Sequence, residues 1–143
     1  KEYRRQRQMC IRDSPSTVWT DYRSIVASHH GDVLQSAAEL AARAKATGES
    51  LYLEALGAAQ YDAGVLPAAG ASYRDAAVIA RDPRVQFRLL LEQARVLEKQ
   101  GQPTDGAALL RQGLIRFTAP PQRSLLLAWI QRLDPIQIDP AKK

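Results

Sequence analysis

Between residues 49 and 83 the sequence reads ESLYLEALGAAQYDAGVLPAAGASYRDAAVIARDP, and its rhythm leaves few folds open. Leu53, Leu56, Gly57, Gln60 and Tyr61 recur at three- and four-residue spacing, so one face of a helix can be buried. Glu49 and Ser50 stand where a helix start favours them. Gly64 supplies a left-handed position that ends a helix, and Pro67 suits the first turn of the next, where a missing N–H costs nothing. A second helix then presents Ala69, Tyr73, Ala76, Ala77 and Ala80 on one side, and Asp82-Pro83 stops it. Two helices joined by so short a turn lie antiparallel. Gly57, Ala69 and Ala76 let their axes approach, and Leu56 and Tyr73 fill the remaining space.

The same plan lies on both sides of this unit. Residues 16–30 give a helix with an apolar stripe of Val18, Trp19, Tyr22, Ile25 and Val26, and with Ser16 as its cap. Gly31-Asp32 breaks it, and the alanine-rich residues 33–46 return with Leu34, Ala37, Ala38, Ala41 and Ala44 available for packing, before Thr47-Gly48 ends them. Residues 84–100 are strongly amphipathic. Phe87, Leu90, Leu91, Ala94 and Leu97 face inward, while Arg88, Glu92, Arg95, Glu98 and Lys99 remain for solvent. Gly101 closes that helix, Pro103-Thr104 opens the next, and Ala107, Leu110, Gly113, Leu114 and Phe117 line it. After Pro120-Pro121, residues 124–133 give a last helix whose Leu126, Trp129, Ile130 and Leu133 cover the final hairpin. Residues 136–143 are expected to be a short extended tail. The expected fold class is all-α, an antiparallel helix-hairpin solenoid of about three hairpins with a C-terminal capping helix, over residues 15–135.

Leu56-Gly57, Gly64, Ala69, Tyr73 and Ala76, with a late proline, resemble the signature of the tetratricopeptide repeat. The break glycines fall at 31, 64 and 101, so the intervals bracket that family's period of about 34 residues. The chain departs from the pattern at Leu53, where the family favours tryptophan, and at Gln60, where it favours tyrosine. The resemblance implies a non-catalytic module for protein–protein interaction, with the first helix of each hairpin lining a concave groove. Side chains beside the packing stripe would then be Asp21 and His29, then Glu54, Tyr61 and Asp62, then Arg88, Arg95 and Lys99. The partner-binding set is taken as Glu54, Tyr61, Asp62, Arg88, Arg95 and Lys99, acidic at one end and basic at the other. The family's clamp for chaperone C-termini uses Lys and Asn at places that here carry Asp21, Ile25, Leu91 and Arg95. Only Arg95 agrees, so a chaperone-tail receptor is not implied.

The net charge of +5 calls for an explanation, and most of it comes from the first fourteen residues. They hold five of the twenty Lys and Arg and two of the fifteen acids, which leaves +2 for the remainder. Residues 4–14, RRQRQMCIRDS, resemble in order the translation of a common transposase-based sequencing adapter, and Lys1-Glu2-Tyr3 match a sample index ahead of it. The segment is expected to be adapter fused to a truncated reading frame, and it is excluded from fold reasoning. It contains the one Met and the one Cys, Met9 and Cys10. The native N-terminus is therefore expected to lie upstream, and the compartment, cytoplasmic or periplasmic, stays open. The adapter-like segment, which suggests environmental sequencing, and the Ala-, Arg- and Leu-rich composition lead to the expectation of a bacterial source.

Chemistry-bearing patterns are sparse. The sequence holds no phosphate-cradling glycine loop, no zinc spacing and no H-E-x-x-H arrangement. Adjacent His29 and His30 point about 100° apart on a helix, so they suit a solvated pair better than one metal. Asp62, Asp75 and Asp82 fall on different helix faces, with no reason to pair for acid–base work. No catalytic residue, cofactor or metal is expected. The expected partner is a protein or peptide, with no nucleic acid and no membrane contact by this fragment. The alternative is an accessory domain of a larger bacterial envelope-assembly or regulatory protein.

Overall fold

The computed structural model describes residues 16–135, which are mostly helical, with short turns between the helices and no strand among them. The chain divides into two compact units, Lys1–Asp82 and Pro83–Lys143. The adapter-like residues 1–14 and the expected tail at residues 136–143 lie outside the described residues.

The first unit holds α1 (Ser16–Ser28), α2 (Ala37–Thr47), α3 (Leu51–Asp62) and α4 (Leu66–Ile79). In α1 the expected stripe forms: Val18 and Ile25 are buried, and Trp19, Tyr22 and Val26 are half-buried. The α1–α2 connection differs from expectation. His30 takes the left-handed conformation (φ 58°) directly ahead of Gly31, and the Gly31 N–H reaches the Val26 carbonyl at 3.0 Å. Asp32 then caps a separate turn, its Oδ1 accepting from the Leu34 and Gln35 N–H groups. That turn delays α2 to Ala37 instead of residue 33. It also rotates the buried face onto Ser36, Leu40 and Ala44, leaving Leu34 and Ala38 exposed. In a run of alanines no position outweighs its neighbours, and the one leucine inside the helix decides which face is buried.

Helix α3 packs against both α2 and α4 and is buried almost all round, from Leu51 to Ala58 and again at Gln60. At its end the Val65 N–H reaches the Gln60 carbonyl and the Gly64 N–H the Tyr61 carbonyl, with Gly64 at φ 79°. This is the Schellman pattern, which satisfies the last carbonyls and reverses the chain. Pro67 lies in the first turn of α4, whose Ala69, Ser72, Tyr73, Ala76 and Ala80 border are buried. The closest contact between the two helices is at Gly57. A Cβ there would stand 3.0 Å from Cδ1 and Cε1 of Tyr73, a ring that is itself fully buried. Beside it the Ser72 hydroxyl donates to Gln60 Oε1 at 2.6 Å, satisfying a pair of buried polar groups.

The second unit holds α5 (Pro83–Lys99), α6 (Pro103–Arg116) and α7 (Pro120–Leu133). The α5–α6 turn repeats the closure at Gly64: Gln102 N–H to Leu97 carbonyl, Gly101 N–H to Glu98 carbonyl, Gly101 at φ 77°. One core joins Leu91 and Ala94 of α5, Ala107 and Leu110 of α6, Phe117, and Leu126, Ile130 and Leu133 of α7. Phe87, Leu90, Leu114 and Trp129 pack on its margin, and the Phe87 and Phe117 rings meet edge to face at 5.2 Å. Two expectations need correcting. Pro120-Pro121 does not merely end α6; it forms the first turn of α7, which begins four residues earlier than expected. Helix α5 is also buried more widely than one stripe: Leu89 and Val96 are enclosed, and Glu92, expected in solvent, is only 2% exposed.

Candidate functional site

The side chains expected to line a groove come from the first helix of each pair, and each unit places its own share. In the first unit Asp21 is tied into the helix packing. Its Oδ2 accepts from the Tyr52 hydroxyl at 2.8 Å and meets Arg43 Nη1 at 3.3 Å, so one carboxylate links α1, α2 and α3. Burial, and next the Asp21 carboxylate, push the Tyr52 hydroxyl up to about 12. His29 is not simply solvated, since its Nε2 meets Glu39 Oε2 at 2.8 Å; His30 is exposed. These contacts make Asp21 and His29 parts of the α1–α3 packing.

Glu54 and Tyr61 are seven residues apart on α3 and share a face, with Asp62 about 100° away. Their exposures differ sharply. Glu54 is 4% exposed, Tyr61 is half-buried and Asp62 is exposed. On α5, Arg88, Arg95 and Lys99 share a face with Glu92, which lies between the two arginines. Arg88 and Arg95 are half-buried and Lys99 is exposed. Arg95 Nη1 stands 3.7 Å from Glu92 Oε2. Burial pushes the Glu92 carboxyl up to about 7, with Arg95 opposing in part, and its Oε1 has no hydrogen-bond partner among the described residues. All six expected contact residues already take part in interactions within the chain.

Charge is distributed unevenly in a way that the total conceals. Residues 15–82 carry five Lys and Arg against eight acids, whereas residues 83–143 carry ten against five. Sequence spacing alone could not find Glu92 or the Asp21–Tyr52–Arg43 contacts, because both depend on which helix faces are buried. Among the described residues no group of three or more His, Cys, Asp or Glu side chains could hold a metal ion, and no helix is long and apolar enough to cross a membrane. Comparison with known proteins gives no match to any family, to any curated protein or to any solved structure.

Proposed function

We propose that the chain is a helical-repeat module of the tetratricopeptide kind, a non-catalytic protein that holds a peptide segment or a partner subunit against the first helices of its hairpins. The observation that carries this reading is the seating of Tyr73 in the gap left by Gly57, on a helix pair closed at Gly64. The left-handed closure at Gly101 and the small residues within the α5–α6 pair support it further. Such hairpins have side chains to spare on their outer faces but no enclosed chemistry of their own. Within the reading, Tyr61 and Asp62 of α3 and Arg88, Arg95 and Lys99 of α5 are the contact residues, and Glu54 contributes from a buried position.

The test is selection of peptides from a displayed library against the full chain, followed by NMR mapping of the selected ligands. The expected result is shifts concentrated on α3 and α5, with binding weakened by about tenfold or more when Arg88, Arg95 and Lys99 are replaced by Glu. Ligands that shift α2, α4 or α6 instead, or that bind the triple variant unchanged, would reject these helices as the contact surface.

A further inference from the structure

The second unit is electrically polarised along its helices. Tight turns make α5 and α7 run in one direction and α6 in the other, so the starts of α5 and α7 share an end with the finish of α6. The contact of Arg116 Nη2 with Gln86 Oε1 and the Phe87–Phe117 ring pair hold that end together. It carries Arg84 and Arg88 from α5, Arg116 from α6 and Arg123 from α7, with no carboxylate among the unit's described residues there. Arg84 and Arg88 already take part in interactions within the chain, so Arg116 and Arg123 are the charges on which this end depends. The first turns of α5 and α7 hold no acid, and the partial charge of both helix starts has the same sign as the arginines.

The opposite end differs. Glu98, Asp105 and Asp134 lie there, and two of them are matched at short range: Arg132 Nη1 to Glu98 Oε2 and Arg111 Nη2 to Asp134 Oδ2, each at 2.7 Å. Arg116 and Arg123 at the Pro83 end have no such match among the described residues. Arg116 is exposed and directed by neutral groups, the Gln86 amide and the Phe117 ring, whose centroid is 5.4 Å from its guanidinium carbon. Arg123 is likewise exposed, in the first turn of α7. Neutral contacts orient a guanidinium without cancelling its charge.

We propose that this end of the second unit, built on Arg116 and Arg123, docks a short acidic protein segment. Planar guanidinium groups pair with carboxylates two hydrogen bonds at a time, and an Asp- or Glu-rich stretch of a few residues matches the number of charges present. Nucleic acid is the poorer match. Phosphate-backbone binding draws on roughly six to ten contacts and on exposed aromatic faces, whereas here Phe117 is buried and Phe87 half-buried against it. Arg116 and Arg123 are not among the contact residues proposed above, so their variants test this surface apart from that function; Arg88 alone is common to both.

The experiment is fluorescence anisotropy of a labelled hexaglutamate peptide with the full chain at low ionic strength, repeated at rising salt. The expected result is binding that weakens with salt and drops at least about tenfold in the Arg116→Glu, Arg123→Glu double variant. In the Lys45→Glu, Arg74→Glu variant, which reverses two exposed charges of the first unit, it should change by no more than about twofold. The Arg116→Gln, Arg123→Gln protein, which neutralises two exposed charges at the cost of the Arg116 contacts with Gln86 and Phe117, should give the same order of effects with a thermal transition lowered by no more than about 5 °C. No binding by the wild type, or equal losses in the two Glu pairs, overturns the proposal. Tighter binding of a thymidine oligonucleotide than of the peptide also overturns it, in favour of a nucleic-acid partner.

Discussion

Both units let two helices touch through a glycine, but they place the gap on opposite partners. In the first unit Gly57 belongs to the leading helix and receives Tyr73 from the returning one. In the second, Gly113 belongs to the returning helix, and a Cβ there would lie 2.5 Å from Cδ2 of Leu90 on the leading one. The turn chemistry at Gly64 and Gly101 repeats; the small-against-large assignment does not. Each of these two hairpins leaves out one side chain at its crossing, and the helix that leaves it out is the one facing the bulkier residue. The large partners differ as well: the Tyr73 ring is rigid and fully enclosed, whereas Leu90 is flexible and half-exposed.

That contrast can be tested directly, because each unit holds one of the two tryptophans, Trp19 or Trp129. Trp129→Phe leaves a reporter of the first unit and Trp19→Phe a reporter of the second. Tyr73→Ala should be the most costly change, about 3 to 4 kcal/mol in urea unfolding read at Trp19, against about 1 to 2 kcal/mol for Leu90→Ala read at Trp129. Equal losses at both reporters for either variant would show that the units unfold together.

Glu92 should give the next largest effect, and it depends on pH. Its folded carboxyl is raised to about 7 from an ordinary value of 4.5. Between those values the folded protein keeps a proton that the unfolded chain releases. The group's contribution is thus complete below about pH 4.5 and disappears as pH rises through 7. The full swing is about 3 kcal/mol. Glu92→Gln should remove it, so the variant's stability relative to wild type should climb across that window, read at Trp129. A flat difference would mean that the carboxyl is solvated.

Glycine replacement gives the smallest and most discriminating effect. Gly57→Ala gains about 1 kcal/mol of helix propensity but forces a methyl against a ring with no room to turn, for a net loss of about 1 kcal/mol. Gly113→Ala meets only the tip of Leu90, which can swing outward, so the same propensity gain should leave it near neutral. Parallel guanidinium titrations of the two variants would decide; a larger loss at Gly113 reverses the comparison.

Much of the helical layout was legible in the residues. The stripes of α1, α4 and α6 and the breaks near residues 31, 64 and 101 were readable, because β-branched, aromatic and glycine residues each carry a definite steric preference. Prolines were readable as punctuation but not always in the right direction. At Pro120 the ring's fixed φ starts a helix as readily as it stops one. The alanines of α2 carried no directional information, and the Asp32 turn that sets its start is a local hydrogen-bond choice. The candidate contact residues lie on α3 and α5, the helices their spacing predicts, but Glu54 and Glu92 read as surface charges. Burial of a charged side chain is decided by what packs over it, and no periodicity records that.

The three-residue links around Gly64 and Gly101 have a consequence for how the molecule is made. Closing so short a loop costs little chain entropy, and most contacts of each pair join residues near one another in sequence. During synthesis α3 and α4 can clasp as soon as residue 80 has emerged from the ribosome, while α5 is still within it. The nascent chain would then carry an assembled hairpin at every stage after the first, instead of a long exposed apolar stretch awaiting its far end.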